Sequence, residues 1–168
     1  MLCVLAKVDP LAKSHLLQLQ EPIKKFGVPP RDLHGHITLV TYVGENEEAF
    51  ISSCKTVLSG VKPFSVNYDK IEVLEATSIL VASPRKEDEI VCVQKRITKG
   101  WEAWLDCWTQ ADVWKPHTTL LHDPQADLHG IARAIQEIFE PFSARINEVE
   151  FSRVNEHGYE VIESIVLR

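Results

Sequence analysis

The sequence predicts an α+β protein of one domain with two pseudo-symmetric lobes. Three observations predict this class. Segments with the alternating pattern of β-strands are interleaved with segments whose apolar residues recur at helical spacing. The second half of the 168 residues repeats the order of elements found in the first half. Two short sequences also recur about half a chain apart, which indicates an internal duplication.

The first half contains three predicted strands and two predicted helices. An apolar strand covers residues 1–8, and Asp9-Pro10 then supplies a helix N-cap followed by proline at the first helical position. That helix ends at the glycine and prolines of 27–30. The remaining elements are a strand from His34 to Val43, a helix from Glu45 to Gly60 and a strand over 64–75.

The second half follows the same order. A strand covers Ile79 to Ala82, and Ser83-Pro84 begins a helix. Helical spacing continues through three tryptophans, which predicts that they lie in the core: Trp101, Trp104 and Trp108. The remaining elements are strands at 116–122, 142–154 and 159–167, a helix that starts near Leu128 and a turn at His157-Gly158.

The recurring sequences place equivalent residues in the two halves. Pro63-Phe64-Ser65 recurs as Pro141-Phe142-Ser143, and His36-Ile37-Thr38-Leu39 recurs as His117-Thr118-Thr119-Leu120. The matches fall on equivalent predicted elements. They predict lobe repeats at about 1–76 and 77–168 within a single domain over 1–168.

Composition and charge exclude some classes of function. The chain has 18 Lys and Arg against 24 Asp and Glu, for a net charge of −6, whereas proteins that coat long nucleic acid usually carry the opposite sign. A small anionic substrate in a local pocket is compatible with this balance. We therefore expect a small nucleotide or short RNA as partner, no long nucleic acid, and a monomer.

Cysteine spacing and hydropathy indicate the compartment. The four cysteines form no CxxC pair, which argues against a zinc knuckle and fits the reducing cytoplasm: Cys3, Cys54, Cys92 and Cys107. No apolar run approaches the roughly 18 residues that a membrane span needs. We predict a cytoplasmic protein that does not span a membrane, whose N-terminal segment is a strand rather than a signal peptide.

The repeated His-x-Thr pattern predicts the chemistry. Because side chains alternate along a strand, His36 projects with Thr38, and His117 projects with Thr119. Both pairs can then face one cleft between the lobes. One neutral histidine can accept a proton while the other, protonated, donates one, and the threonine hydroxyls can hold phosphate oxygens. The scheme needs no metal or other cofactor, suits a phosphodiester beside a ribose hydroxyl, and predicts a bell-shaped pH profile.

These motifs resemble the paired signatures of the 2H phosphoesterase superfamily, which includes 2′-5′ RNA ligase-like proteins and cyclic phosphodiesterases. The resemblance covers the whole chain, including a closing hairpin over 151–162. It implies a bilobal fold of antiparallel sheet with helices outside and a central cleft. It also implies catalysis by His36 and His117 without metal, most simply the hydrolysis of a 2′,3′-cyclic phosphate to a 2′-phosphate. The near symmetry of the motifs does not tell which histidine starts as base.

Two other functions remain open from the sequence. His34, His36 and His117 could form a zinc triad with an open position for water. Alternatively, the cleft could belong to a non-catalytic module that binds a nucleotide or an RNA end. Three further residues flank the motifs and are candidate contacts to a base or phosphate: Tyr42, Trp114 and Lys115.

Overall fold

The computed structural model describes residues 1–29, 33–86, 88–155 and 158–168. Within these ranges, seven strands form one antiparallel sheet: β1 Leu2–Val8, β2 His36–Tyr42, β3 Phe64–Val73, β4 Ile79–Pro84, β5 Thr118–His122, β6 Phe142–Asn155 and β7 Gly158–Val166. The α-helices between them are α1 Pro10–Leu19, α2 Glu21–Lys24, α3 Glu47–Leu58, α4 Asp88–Thr98 and α5 Leu128–Gln136. The predicted α+β class is confirmed.

The order of the strands is symmetric. It runs β2-β1-β6-β3-β4-β5, with β7 also paired to β6. When β1, β2 and β3 are exchanged with β4, β5 and β6, the same order is obtained, read from the other edge of the sheet. The third strand of each predicted repeat joins the other repeat, since β3 pairs with β4 and β6 pairs with β1. Strand pairing therefore crosses the predicted boundary between 1–76 and 77–168, and the division into two lobes stays a prediction.

The first helix begins where the sequence predicts. A carboxylate oxygen of Asp9 accepts hydrogen bonds from the backbone N–H of Leu11 at 3.0 Å and of Ala12 at 3.1 Å. These contacts satisfy two of the donors that a helix start leaves without partners. Pro22 has no N–H to donate, and the predicted single helix is divided near Gln20 into α1 and α2.

The segment before the second motif differs from the prediction. Ser83 and Pro84 do not begin a helix but end β4, where they lie opposite residues of β3, and α4 begins at Asp88. The proline is tolerated there because it is the last residue of the strand and its missing N–H interrupts little of the ladder. The predicted strand over 116–122 begins at Thr118, so His117 precedes it.

The three tryptophans after α4 do not continue that helix. The helix ends at Thr98, before Gly100 with φ +83°, and two short 3-10 helices follow at Glu102–Trp104 and Cys107–Thr109. Trp104 is 52% exposed and Trp108 is 62% exposed, so the prediction that they lie in the core is wrong, while Trp101 packs against it.

Two further predictions are affected by the extent of the described residues. His157 of the predicted turn lies outside them. Among the helices that are described, none has the length and apolar character required to cross a membrane.

Candidate active site

Strand β2 carries the first motif. Ile37 and Leu39 are fully buried, so the alternation of the strand places His36 and Thr38 on its other face, where both are partly exposed. In the pairing of β1 with β2, Lys7 lies opposite His36. The imidazole and the hydroxyl therefore share the accessible face of the strand.

The second motif starts one residue before β5. His117 is partly buried and Thr119 is exposed, whereas Thr118 and Leu120 are buried. The Nδ1 atom of His117 lies 2.8 Å from the carbonyl oxygen of Lys115, and because a carbonyl only accepts, Nδ1 carries the proton. This bond fixes the tautomer of neutral His117 and leaves Nε2 for proton transfer.

Direct hydrogen bonds join the two motifs. The hydroxyl of Thr118 donates to the carbonyl of His36 at 2.8 Å, and the indole N–H of Trp114 donates to the carbonyl of Thr38 at 2.9 Å. The buried Tyr68 hydroxyl lies 2.6 Å from the Thr118 oxygen and donates to it, since the Thr118 proton is already used. The backbone carbonyls of His36 and Thr38 thus each accept a hydrogen bond from a side chain in or just before the second motif.

One residue of each motif also lines a common cavity, whereas His36 and Thr119 are not part of its lining. Its volume is about 770 Å³, and its lining includes Thr38 from the first motif and His117 from the second. A volume of this size is typical of sites for small molecules. The two motifs therefore reach a common space that can hold a nucleotide.

Aromatic rings surround His36. The ring of His34 lies 5.1 Å from that of His36, and the ring of Tyr159 on β7 lies 4.8 Å from it, both edge-on. Tyr159 stacks on His34 at 4.8 Å. The Nδ1 atom of His36 is buried and has no hydrogen-bond partner among the described residues. Buried polar atoms without a hydrogen-bond partner are rare in folded proteins.

The surroundings of His36 disfavour its protonated form. Burial, which has the largest effect, and the charges of His34, Lys7 and His117 together lower the pKa of His36 to about 3, against the opposing effect of Glu150. At neutral pH His36 is therefore an uncharged imidazole. The influence of His117 on this pKa also means that the two histidines are electrostatically coupled.

A charged network lies behind His36. The Nε2 atom of His34 is 2.8 Å from a carboxylate oxygen of Glu150 and 2.9 Å from Nζ of Lys7, which itself lies 3.3 Å from Glu150. The hydroxyl of Ser152 donates to the same carboxylate. These bonds lower the pKa of Glu150 against the effect of its burial, so the carboxylate is ionised beside the ammonium of Lys7.

His117 has a different electrostatic environment. Burial lowers its pKa below the ordinary value of 6.5, but the hydrogen bond to the Lys115 carbonyl and the charge of Glu72 both act to raise it. Of the two motif histidines, His117 therefore carries a proton more readily than His36, whose neighbours include cationic Lys7.

The geometry disfavours the zinc alternative. In the described part of the chain, no group of three His, Cys, Asp or Glu side chains is placed to hold a metal ion. The Nε2 atom of His34 faces the ammonium of Lys7 and the carboxylate of Glu150, and an ammonium at 2.9 Å opposes a metal cation at that nitrogen. His34, His36 and His117 thus do not form a ligand set.

The three flanking candidates have different positions. Tyr42 is 2% exposed and stacks on Phe50 at 4.3 Å, so the prediction that it contacts substrate is wrong: as the last residue of β2 it points into the core. Trp114 and Lys115 both line the cavity. Trp114 is otherwise buried and holds the Thr38 carbonyl, whereas Lys115 is exposed.

Several residues around the site have no signal in the sequence. Lys7 and Glu150 resemble ordinary exposed strand residues, and only the pairing of β1 with both β2 and β6 brings them to His34. Thr118 lies on the buried face of its strand, yet its hydroxyl connects the motifs. The exposure of Trp108 does have a signal in the sequence, because Gly100 lies between α4 and this tryptophan and ends the helical pattern.

Comparisons with known proteins bear on the family and the fold. A family model for the 2′-5′ RNA ligase superfamily matches residues 9–158. A comparison with curated proteins gives no match. Similar solved structures include E. coli LigT complexed with 3′-AMP, at 14% identity and TM-score 0.64, and E. coli LigT complexed with phosphate, at 15% and 0.63; each match covers 99% of this chain and 96% of the other. A structure described as a phosphoesterase, at 14% and 0.63, matches over 99% and 97%. At these identities the structural likeness shows the fold.

Proposed function

The chain belongs to the 2′-5′ RNA ligase superfamily of phosphoesterases and RNA ligase-like enzymes, and on that premise we propose that it hydrolyses a small nucleotide-derived phosphodiester without a metal. The substrate class we propose is a 2′,3′-cyclic phosphate, and the product is a 2′-phosphate. His36 and His117 exchange the protons, and Thr38 and Thr119 hold the phosphoryl oxygens.

One observation carries this proposal. The first His-x-Thr motif is hydrogen-bonded to the second through Thr118, which donates to the His36 carbonyl, and to the segment before the second through Trp114, which donates to the Thr38 carbonyl. These bonds join residues that are 82 and 76 apart in sequence, so the meeting of the motifs is a property of the fold and not of local sequence. A non-catalytic module needs neither two titratable rings nor this precise connection.

The electrostatic difference between the histidines supports a division of roles. His36, neutral at ordinary pH, takes a proton from a water molecule as its oxygen attacks phosphorus. The bond from phosphorus to the ribose 3′ oxygen breaks, and that oxygen takes the proton of His117. The step leaves His36 protonated and His117 neutral, and proton exchange with solvent restores both. The threonine hydroxyls donate to the non-bridging oxygens, where charge increases in the transition state.

These roles give the pH profile a direction. The reaction needs His36 neutral, which requires a pH above about 3, and His117 protonated, which requires a pH below its own pKa. Because the pKa of His117 is lowered from 6.5, kcat/KM should be highest at acidic pH and fall as the pH rises toward neutrality. Both limbs of the expected bell-shaped profile thus lie at lower pH than they would for two histidines with ordinary pKa values.

Lys7→Met should change one limb of this profile alone. Removing the cation near His36 raises the pKa of that ring, so the acidic limb of kcat/KM should shift to higher pH while the basic limb is unchanged. Lys7→Arg, which keeps the charge, should restore the acidic limb. Lys24→Met, which removes an exposed lysine paired with Glu21, is the matched control. An acidic limb that stays in place in Lys7→Met would contradict the assignment of His36 as base.

Removal of metals should leave the activity intact. The proposed proton transfers use only side chains of the chain, so kcat/KM should be the same before and after prolonged EDTA treatment and dialysis. Elemental analysis of the active protein should find no stoichiometric zinc. Activity that EDTA abolishes and zinc restores would instead favour a zinc hydrolase.

A further inference from the structure

The cavity beside the motifs extends well beyond the phosphate. From Thr38 and His117 it continues between two segments, the turn 74–77 that joins β3 to β4 and the segment 106–115 that precedes β5. Its volume of about 770 Å³ exceeds what one phosphoryl group occupies. His34 and Tyr159, which pack against His36, do not line it. A substrate held at the motifs therefore places its larger part in this cavity.

An indole forms part of the cavity wall. Trp108 lines the cavity with 62% of its surface exposed, on a turn that is firmly anchored. The next residue, Thr109, donates its hydroxyl to the Thr41 carbonyl of β2 at 3.4 Å, and its own carbonyl accepts from the Gln94 amide of α4 at 2.9 Å. An exposed aromatic face on a fixed turn is suited to stacking against the flat ring of a base.

The cavity is acidic away from the phosphate site. Glu75 lines it from the turn between β3 and β4, and Asp106 and Asp112 line it from the segment before β5. Two residues with a positive charge also line the cavity: Met1, which carries the N-terminal ammonium, and Lys115, which lies beside His117, where the phosphoryl group is proposed to bind. Because like charges repel, the acidic part of the cavity disfavours a second phosphate.

We propose that this cavity makes the enzyme select a cyclic phosphate attached to a single uncharged nucleoside, with Trp108 stacking on the base and Glu75, Asp106 and Asp112 rejecting substrates that carry another phosphate there. This inference rests on the proposed function and narrows it. The preferred substrate is a mononucleoside cyclic phosphate with a free 5′-hydroxyl, rather than the end of an RNA strand, whose terminal nucleoside is joined through a 5′-phosphate.

The charge part is tested with two substrates that differ only in a phosphate. These are adenosine 2′,3′-cyclic phosphate and the same compound carrying a 5′-phosphate, which adds up to about two negative charges. The wild type should have a kcat/KM at least about fivefold lower for the phosphorylated compound, and the ratio should shrink with added salt. Asp112→Asn should also reduce this ratio, whereas the control Glu163→Gln, whose carboxylate pairs with Lys55 and does not line the cavity, should not.

The stacking part is tested with a substrate that lacks a base, a cyclic phosphate of glycerol. Relative to that compound, Trp108→Ala should lower kcat/KM for adenosine 2′,3′-cyclic phosphate by about tenfold. Trp104→Ala removes a similarly exposed indole from the preceding 3-10 helix and is the matched control. Circular dichroism should show that both variants are folded.

The outcomes separate the two proposals. The inference would be overturned if the wild type had equal kcat/KM for the two adenosine compounds, if Asp112→Asn left that ratio unchanged, and if Trp108→Ala left the ratio of the adenosine to the glycerol compound unchanged. The proposed function would then still stand. Turnover of none of the three compounds by the wild type would overturn the proposed function, and the inference with it.

Discussion

His117→Ala is expected to lower kcat/KM for a 2′,3′-cyclic phosphate by about 10²–10⁴-fold, and His36→Ala by a similar factor. Each substitution removes one partner of a proton transfer. The imidazole of His117 is the proposed donor to the leaving oxygen, and its Nδ1–H is already engaged by the Lys115 carbonyl. The measurement is steady-state kinetics on the purified variants. The double variant should lower kcat/KM by less than the product of the two single factors, because the two rings act in one step.

The control for these variants is another histidine, which lies at the end of β5. His122→Ala removes an exposed imidazole at the end of β5 and should retain wild-type activity. Unchanged thermal unfolding of His36→Ala and His117→Ala would show that the losses are chemical. If either single alanine variant keeps most of its activity, the proposed pairing of the two histidines is wrong.

The local features of the fold could be predicted from the sequence. The Asp9-Pro10 start of α1 depends on contacts that span two or three residues, and it is confirmed. The alternation that places His36 and Thr38 on one accessible face is equally local. Pro84 misled the prediction because the same residue can begin a helix or end a strand, and the pairing with β3 decides between them.

The site depends on contacts that no local pattern reveals. His34 meets Glu150 across 116 residues, and Thr118 meets the His36 carbonyl across 82. Both contacts follow from the order of strands in the sheet, which brings β6 beside β1 and β5 toward β2. Tyr42 shows the same dependence, since its place after the first motif predicted a cleft residue, whereas packing against Phe50 makes it part of the core.

The symmetry of the sheet explains why the motifs alone could not assign the base. Glu150 lies opposite Leu5 on β1, and Glu72 lies opposite Val81 on β4, so each histidine has a carboxylate at an equivalent position. The difference lies around His36, where burial, His34 and Lys7 all lower the pKa of the ring, and Lys7 pairs with Glu150. The surroundings of His36 thus break the near equivalence of the two halves.

The threonine variants test the other half of the proposed chemistry. Thr38→Val and Thr119→Val remove a hydroxyl but keep β-branching and volume, so strands β2 and β5 should fold normally. Each variant should weaken transition-state binding by about 1.5–3 kcal/mol, the range for a hydrogen bond to a charged group, which lowers kcat/KM roughly 10- to 150-fold. The measurement is kcat/KM across the pH range, compared with the variant Thr56→Val on helix α3, remote from the cleft.

The shape of that profile separates phosphate binding from proton transfer. The limbs report His36 and His117, which these variants leave in place, so the height of the bell should fall while the positions of its limbs stay constant. The Thr38→Val variant could also lose activity because it disturbs the hydrogen bond from Trp114 to the carbonyl of residue 38. In that case its thermal stability should fall, because this bond joins β2 to the segment before β5. Valine variants with wild-type kcat/KM would show that the hydroxyls of Thr38 and Thr119 do not hold the phosphoryl group.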